Sequence, residues 1–349
     1  MDMDIDNHKL MYHPDRVSGW QLTGDCLPIY VEIGPTDTCN HKCKFCALDF
    51  LKRERKYIDT KVMIDNIKDM SPYVRSIMFS GEGEPSMHKN LEDMIATAYE
   101  NGIDSAITTN GVLLDKGRLK NILPYLSWLR FSIDAGTPQT YSHIHGTKVR
   151  DFETMLQNLR DAVDIKWQKN LRVSLGTQFL VTPYSIDEAR KLAETLSDIG
   201  VDNLQIKPYS HHPQSRHDFV IDTDAYNSLE PLLKKYETPD FKIIFRRATM
   251  ERILSEKPYD TCHALPFYAL IDAQGNVLPC NLFHGKTPYY YGNINEQSFS
   301  SIWKGEKRKQ VLSTLKQNGI AFCRKGCRLD AINRYLHRIK HPMEHDNFI

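Results

Sequence analysis

Cys39, Cys43 and Cys46 fall within eight residues of one another, in the stretch Pro35-Thr-Asp-Thr-Cys-Asn-His-Lys-Cys-Lys-Phe-Cys-Ala47. A C-x3-C-x2-C run commits a single loop to holding three thiolates. Soft sulfur ligands suit zinc, copper(I) or iron–sulfur clusters. A zinc site ordinarily draws two ligands from a C-x2-C knuckle and two from a distant pair. Here three come from one loop and no fourth is near. A cubane cluster held this way keeps one iron open to a substrate or cofactor. A zinc or buried-thiol loop is the alternative that spacing leaves standing. Tyr30-Val-Glu-Ile-Gly34 reads as a short buried strand running into the loop.

The chain has 349 residues, enough for one large domain and a small one. Lys+Arg of 45 against Asp+Glu of 44 leaves no basic field, which argues against a nucleic-acid binder. No apolar run approaches the length of a membrane span. The start, Met1-Asp-Met-Asp-Ile-Asp-Asn7, is acidic and lacks a signal-peptide apolar region. A cytoplasmic location is expected, and its reduced thiols make the eight cysteines better metal ligands than disulfides.

Strand-like and helix-like segments alternate from about residue 29 to 207. Arg75–Ser80, Ser105–Thr109, Trp128–Ile133, Arg172–Val181 and Leu204–Lys207 read as strands after the first. Leu91, Met94, Ile95, Ala98 and Tyr99 share a helical face that stops at Gly102; Phe152, Met155, Leu156, Leu159 and Val163 share another. Ser185 and Glu188 make a capping box for a helix carrying Ala189, Leu192, Leu196 and Ile199, stopped by Gly200. Repeated βα units imply a parallel sheet, open or closed. Residues 210–258 read as a polar linker with a helix around Tyr226–Leu233 and a short strand Lys242–Phe245. Phe267–Cys280 reads as a hairpin turning at Ala273–Asn276.

Four cysteines lie around and beyond that hairpin: Cys262, Cys280, Cys323 and Cys327, the last two in a tight loop opening a helix. Four thiolates can complete a second 4Fe–4S cluster with no open iron. They can equally hold a structural zinc.

With Phe45 as the aromatic before its third cysteine, the first loop resembles the signature of the radical S-adenosylmethionine (radical SAM) superfamily. The resemblance implies a partial (βα)6 barrel, with an N-terminal extension over residues 1–28, the barrel over 29–245 and a small α+β domain over 246–349. The later cysteines, with Tyr291-Gly-Asn-Ile294 and Ser301-Ile-Trp303, look like the SPASM and twitch auxiliary-cluster extensions. A full SPASM array needs seven cysteines, so four resemble the twitch type, as in an aminocyclitol dehydrogenase. Implied cofactors are SAM, a SAM-binding 4Fe–4S cluster and a second 4Fe–4S cluster. An electron donor such as flavodoxin or ferredoxin is the implied partner, with no nucleic acid and no membrane.

Ser80-Gly-Glu-Gly-Glu-Pro85 resembles the family's Gly-Gly-Glu-Pro motif, which contacts the methionine amino group, so Glu82, Gly83, Glu84 and Pro85 are nominated there. Glu82 departs from the motif, standing in for its first glycine. Asn110, Ser132, Asp134, Gln178 and Val181 fall at strand ends that resemble the family's ribose- and adenine-contacting positions. Cys26, the cysteine left over, is a candidate hydrogen donor or a small buried hydrophobe. Lys207, Tyr209 and His211 follow the sixth strand, where a base would reach the barrel mouth; Lys207 is nominated. Lys52-Arg-Glu-Arg-Lys56 reads as a solvated face.

The family implies abstraction of a hydrogen from a substrate carbon by a 5′-deoxyadenosyl radical. Only 38 residues precede Cys39, fewer than a leader-peptide-binding domain and a first strand need. That favours a small polyhydroxylated metabolite, a sugar or aminocyclitol, undergoing oxidation or epimerisation. Modification of a ribosomally made peptide is the alternative, and a zinc-bound non-catalytic scaffold or nucleic-acid-binding protein the alternative from another class.

Overall fold

A computed structural model describes residues 7–220 and 222–348. The acidic start, residues 1–6, lies outside the described residues. The chain runs through α1 (Pro14–Thr23), β1 (Tyr30–Ile33), α2 (Thr60–Met70), β2 (Ser76–Phe79), α3 (Leu91–Glu100), β3 (Asp104–Thr109), α4 (Lys116–Ile122) and β4 (Trp128–Ser132). It continues through α5 (Pro138–His145), α6 (Arg150–Gln168), β5 (Ser174–Val181), α7 (Ala189–Ile199), β6 (Asn203–Pro208), α8 (Thr223–Leu233), β7 (Lys242–Phe245) and α9 (Arg247–Leu254). The last part holds β8 (Tyr268–Ile271), β9 (Asn276–Leu278), β10 (Gly292–Asn293), α10 (Phe299–Lys304), α11 (Glu306–Asn318) and α12 (Asp330–Lys340).

The strands form one open sheet in the order β10-β9-β8-β1-β2-β3-β4-β5-β6-β7. From β8 to β7 every pairing is parallel, and β9 and β10 return antiparallel. The six βα units form the expected partial barrel. Two extensions go beyond it: β7 adds to β6, and β8 pairs with β1 along Tyr30↔Tyr268 to Ile33↔Ile271. A boundary at residue 245 therefore divides the chain but not the sheet.

Burial explains the helices. Leu91, Met94, Ile95 and Ala98 of α3 are buried while Tyr99 is exposed, so the apolar stripe faces the sheet. Gly200 ends α7 in the left-handed region at φ 82°. The predicted capping box does not form. Ser185 shares its hydroxyl with Thr182, and Glu188 instead accepts from the Gly136 amide and the Thr137 and Thr140 hydroxyls. A tertiary set of donors outbids the local one, and α7 starts from a 3-10 turn over Ile186–Glu188. A second, smaller apolar cluster joins Leu10, Val17 and Trp20 at the N-terminal end to Phe267 and Leu336.

Candidate active site

The loops after the parallel strands converge on one cavity of about 360 Å³ at their C-terminal ends. Cys39, Cys43 and Cys46 line it together with Phe45, Gly83, Glu84, Pro85, Asn110, Ser132, Gln178 and Lys207. The cysteine loop is pinned from behind. Asp37 accepts from the amides of Glu54 (2.7 Å) and Lys56 (2.8 Å), and the Thr36 hydroxyl donates to the Lys56 carbonyl at 2.7 Å. The Gly81–Pro85 loop packs directly on it. A Cβ on Gly83 would come within 2.3 Å of the Thr38 carbonyl oxygen, so no larger residue fits. The Glu84 carboxylate is fully engaged, accepting from Ser86, from the Thr109 hydroxyl and from the Asn110 amide. It therefore shapes the loop on which Gly83 and Pro85 face the cavity.

The three thiols are surrounded by groups that favour bound sulfur. The His41 amide donates to Cys39 Sγ at 3.4 Å, and His145 Nδ1 lies 3.3 Å from Cys43 Sγ. Arg53 reaches Cys46 Sγ at 4.0 Å. Burial, followed by the charges of Cys39 and Cys46, pushes the Cys43 thiol well up. Such a set ionises together only when a cation compensates it, so the donors fit a cluster.

The later cysteines also form one set. Burial pushes Cys262 up to about 12, with Cys327 the next cause, and Cys323 up to about 11, again with Cys327 beside it. Burial, then Cys327, Cys262 and Cys323, also raises Cys280 well above the ordinary thiol value. Sulfur acceptors are served here too, by Asn333 Nδ2 on Cys262 and by the Leu329 amide on Cys327, both at 3.4 Å. None of the eight cysteines forms a disulfide. A smaller cavity of about 70 Å³, bounded by Cys280 and Cys327, shares Lys207, Asn281, Arg324 and Arg328 with the main one.

Four nominated residues sit differently from the sequence expectation. Asp134 is fully buried and does not line the cavity; its carboxylate accepts from the Leu180 amide at 2.6 Å, and burial raises it to about 7. Val181 faces the core, because the strand's alternation turns Leu180 to the cavity instead. Glu82 turns away, towards Asp272 and His284. Cys26 lies apart, against the Trp20 cluster, donating to the Pro266 carbonyl at 3.4 Å. Tyr209 lines the cavity; His211 does not, and is held by the His217 carbonyl.

Sequence reasoning missed the cations. Arg130, Arg324 and Arg328 line the main cavity beside Lys207. Arg130 was legible in principle, since an arginine inside the apolar strand Trp-Leu-Arg-Phe-Ser needs a reason to be there. Arg324 and Arg328 each directly follow a cysteine of the later set. Lys207 is pushed down to about 7 by burial and then by Arg130, Arg246, Arg324 and Arg328. Arg53, inside a run that reads as a solvated face, turns inward to the thiols.

Two family models match the chain: the radical SAM superfamily over residues 33–196 and an iron-sulfur cluster-binding domain, SPASM, over residues 262–328. The second spans all four later cysteines. The tungsten-containing aldehyde ferredoxin oxidoreductase cofactor-modifying protein of Pyrococcus furiosus is 25% identical over 301 residues, 80% of this chain and 81% of that protein. Fe-coproporphyrin III synthase of Methanosarcina barkeri is 32% identical over 163 residues, 45% of this chain and 39% of that one. In fold, Streptococcus suis SuiB bound to S-adenosylmethionine superposes with a TM-score of 0.67 at 17% identity, covering 87% of this chain and 72% of that one. Native anSMEcpe with bound AdoMet gives 0.60 at 18%, covering 90% and 95%. No helix among the described residues is long and apolar enough to cross a membrane.

Proposed function

This chain belongs to the radical SAM superfamily and carries a C-terminal SPASM domain; we propose that it oxidises a carbon of an anionic, hydroxyl-bearing small metabolite, with Lys207 as proton acceptor. When bound, SAM and the clusters supply a radical that takes a hydrogen atom from carbon and an acceptor for the electron that follows. Cys39, Cys43 and Cys46 would hold the first cluster, and Cys262, Cys280, Cys323 and Cys327 the second.

The observation that carries the reading is the place of Lys207, which lines both the cavity of the three cysteines and the smaller one at Cys280 and Cys327. A carbinol carbon that has lost a hydrogen atom becomes a carbonyl by giving up one electron and the hydroxyl proton. A neutral amine beside it takes that proton. Burial among arginines favours the neutral form of Lys207. The same arginines favour a carboxylate or phosphate on the substrate. Ser132, Gln178 and Asn281 offer hydrogen bonds to hydroxyls, and the volume suits a metabolite. Epimerisation would need a hydrogen donor beside the carbon, and the Cys26 thiol does not line the cavity.

The test is untargeted mass spectrometry of metabolite and peptide fractions incubated anaerobically with the loaded enzyme, SAM and a reductant. The expected result is an anionic metabolite replaced by a product lighter by two hydrogens. A product of unchanged mass, or conversion confined to a peptide, would overturn the reading.

A further inference from the structure

Glu82 occupies the place where the family motif carries glycine, and its side chain has left the SAM-facing cavity. It lies with Asp272 and His284, all three buried, with one potential ligand atom from each within 4.8 Å of the others. Their sources are far apart in the chain: Glu82 follows β2, Asp272 directly follows β8 and His284 follows the hairpin.

The hydrogen bonding of this cluster is incomplete. Neither Glu82 oxygen has a hydrogen-bond partner, although both are buried, and His284 Nε2 has none either. His284 Nδ1 stands 3.2 Å from Glu82 Oε1, yet the two are not aligned for a hydrogen bond. A buried polar group without a partner costs about 1–3 kcal/mol, and more when charged. Burial, then the charge of Asp272, raises Glu82 well above the carboxylate range. Among the described residues no hydrogen-bond donor satisfies the Glu82 carboxylate.

The rest of the cluster is rigid. Asp272 is fixed by the hairpin turn, accepting from the Gln274 and Asn276 amides at 2.9 Å each and from Asn276 Nδ2. Glu82 is fixed by contact with Gly34, where a Cβ would stand 2.4 Å from Oε2. Two ligands on one metal ion lie about 3 Å apart when each bond is about 2.0–2.2 Å. The Glu82–His284 separation already has that value.

We propose that Glu82, Asp272 and His284 bind one divalent first-row cation, as a third metal centre distinct from both cysteine sets. Two carboxylates neutralise a divalent charge, which removes the cost of burying them. One imidazole with two carboxylates and no sulfur suits zinc, iron(II) or manganese(II); three ligands are too few for calcium's oxygen shell. The ion ties the Gly81–Pro85 loop to the hairpin of the SPASM domain. His284 also lines the main cavity, so the clamp fixes part of that cavity's wall. This inference is independent of the oxidation chemistry.

The experiment uses anaerobic, cluster-loaded protein washed with chelator. It is titrated with Zn²⁺, counted by mass spectrometry after gel filtration, and with Mn²⁺, followed by the EPR signal of the free ion. Wild type is expected to retain one equivalent of at least one of these ions beyond its cluster iron. Glu82→Gln and His284→Ala should each weaken retention at least about tenfold, with cluster iron and sulfide unchanged as proof of folding. If His284→Ala does not fold, the isosteric Glu82→Gln decides alone. Failure of wild type to retain either ion, or wild-type retention by Glu82→Gln, would overturn the proposal.

Discussion

Arg328 and Glu32 form an ion pair across 296 residues of sequence. Arg328 follows the last cysteine of the second set; Glu32 sits on β1, just before the cysteine loop of the first. Glu32 is buried, and it also accepts from the Ser80 hydroxyl at 2.5 Å and from the Tyr268 hydroxyl at 3.0 Å. Both residues line the main cavity. One carboxylate thus joins β1, β2, β8 and the Cys323–Cys327 loop.

Replacing Glu32 by Gln leaves Arg328 without its counter-charge. The expected cost is about 1–3 kcal/mol, towards the lower end because Arg328 is half exposed. A thermal melt of the cluster-loaded protein should drop by several degrees. An unchanged melt would show that the pair contributes nothing to holding the loops together.

The cysteine sets should separate by mutation. Ala at Cys39, Cys43 and Cys46 together should leave one cluster and no SAM cleavage. Cys323→Ala should lose or damage the other cluster and keep uncoupled 5′-deoxyadenosine formation, because its cluster has no open iron. Iron, sulfide and nucleoside assays read both. Stoichiometric zinc in place of iron at the four-cysteine site would refute its assignment.

Lys207 must be neutral to accept a proton, and its value near 7 puts the change inside the working range. Product formation should rise as pH passes through 7, while 5′-deoxyadenosine formation should lack that step. Lys207→Gln should lower product yield by about 10²–10⁴-fold and flatten the profile. A variant with the wild-type profile would remove Lys207 from proton transfer.

Cys26→Ala should give wild-type product yield. Its thiol makes one weak bond to a carbonyl outside the cavity, so the loss is expected to be about 1 kcal/mol of stability or less. In deuterium oxide no deuterium should appear at the reacting carbon. Loss of product with intact 5′-deoxyadenosine formation would restore the thiol as a hydrogen donor.

The βα alternation was legible because each element carries its own period: the strand at Lys242–Phe245 and the hairpin around Gly275 stand where the sequence places them. The partner of the hairpin was not. Nothing in Tyr268–Ile271 states that it will pair with β1. Cys39, Cys43 and Cys46 stood out as a candidate ligand set because their close spacing already gathers three thiols in one loop. The arginines around Lys207 did not, since they come from β4, from just after β7 and from the loop after Cys323, and only folding makes them neighbours. Glu82 was misplaced for a related reason. The motif fixes its position in the loop, while the residues its side chain meets, Asp272 and His284, come 190 and 202 positions later in the chain.

EPR of the reduced, doubly loaded protein with and without SAM tests the central division of labour most directly. SAM should shift one of two cluster signals. That shift should survive Cys323→Ala and vanish when Cys39, Cys43 and Cys46 are replaced. A SAM-induced shift that persists without those three cysteines, or that falls on the four-cysteine cluster, would contradict it.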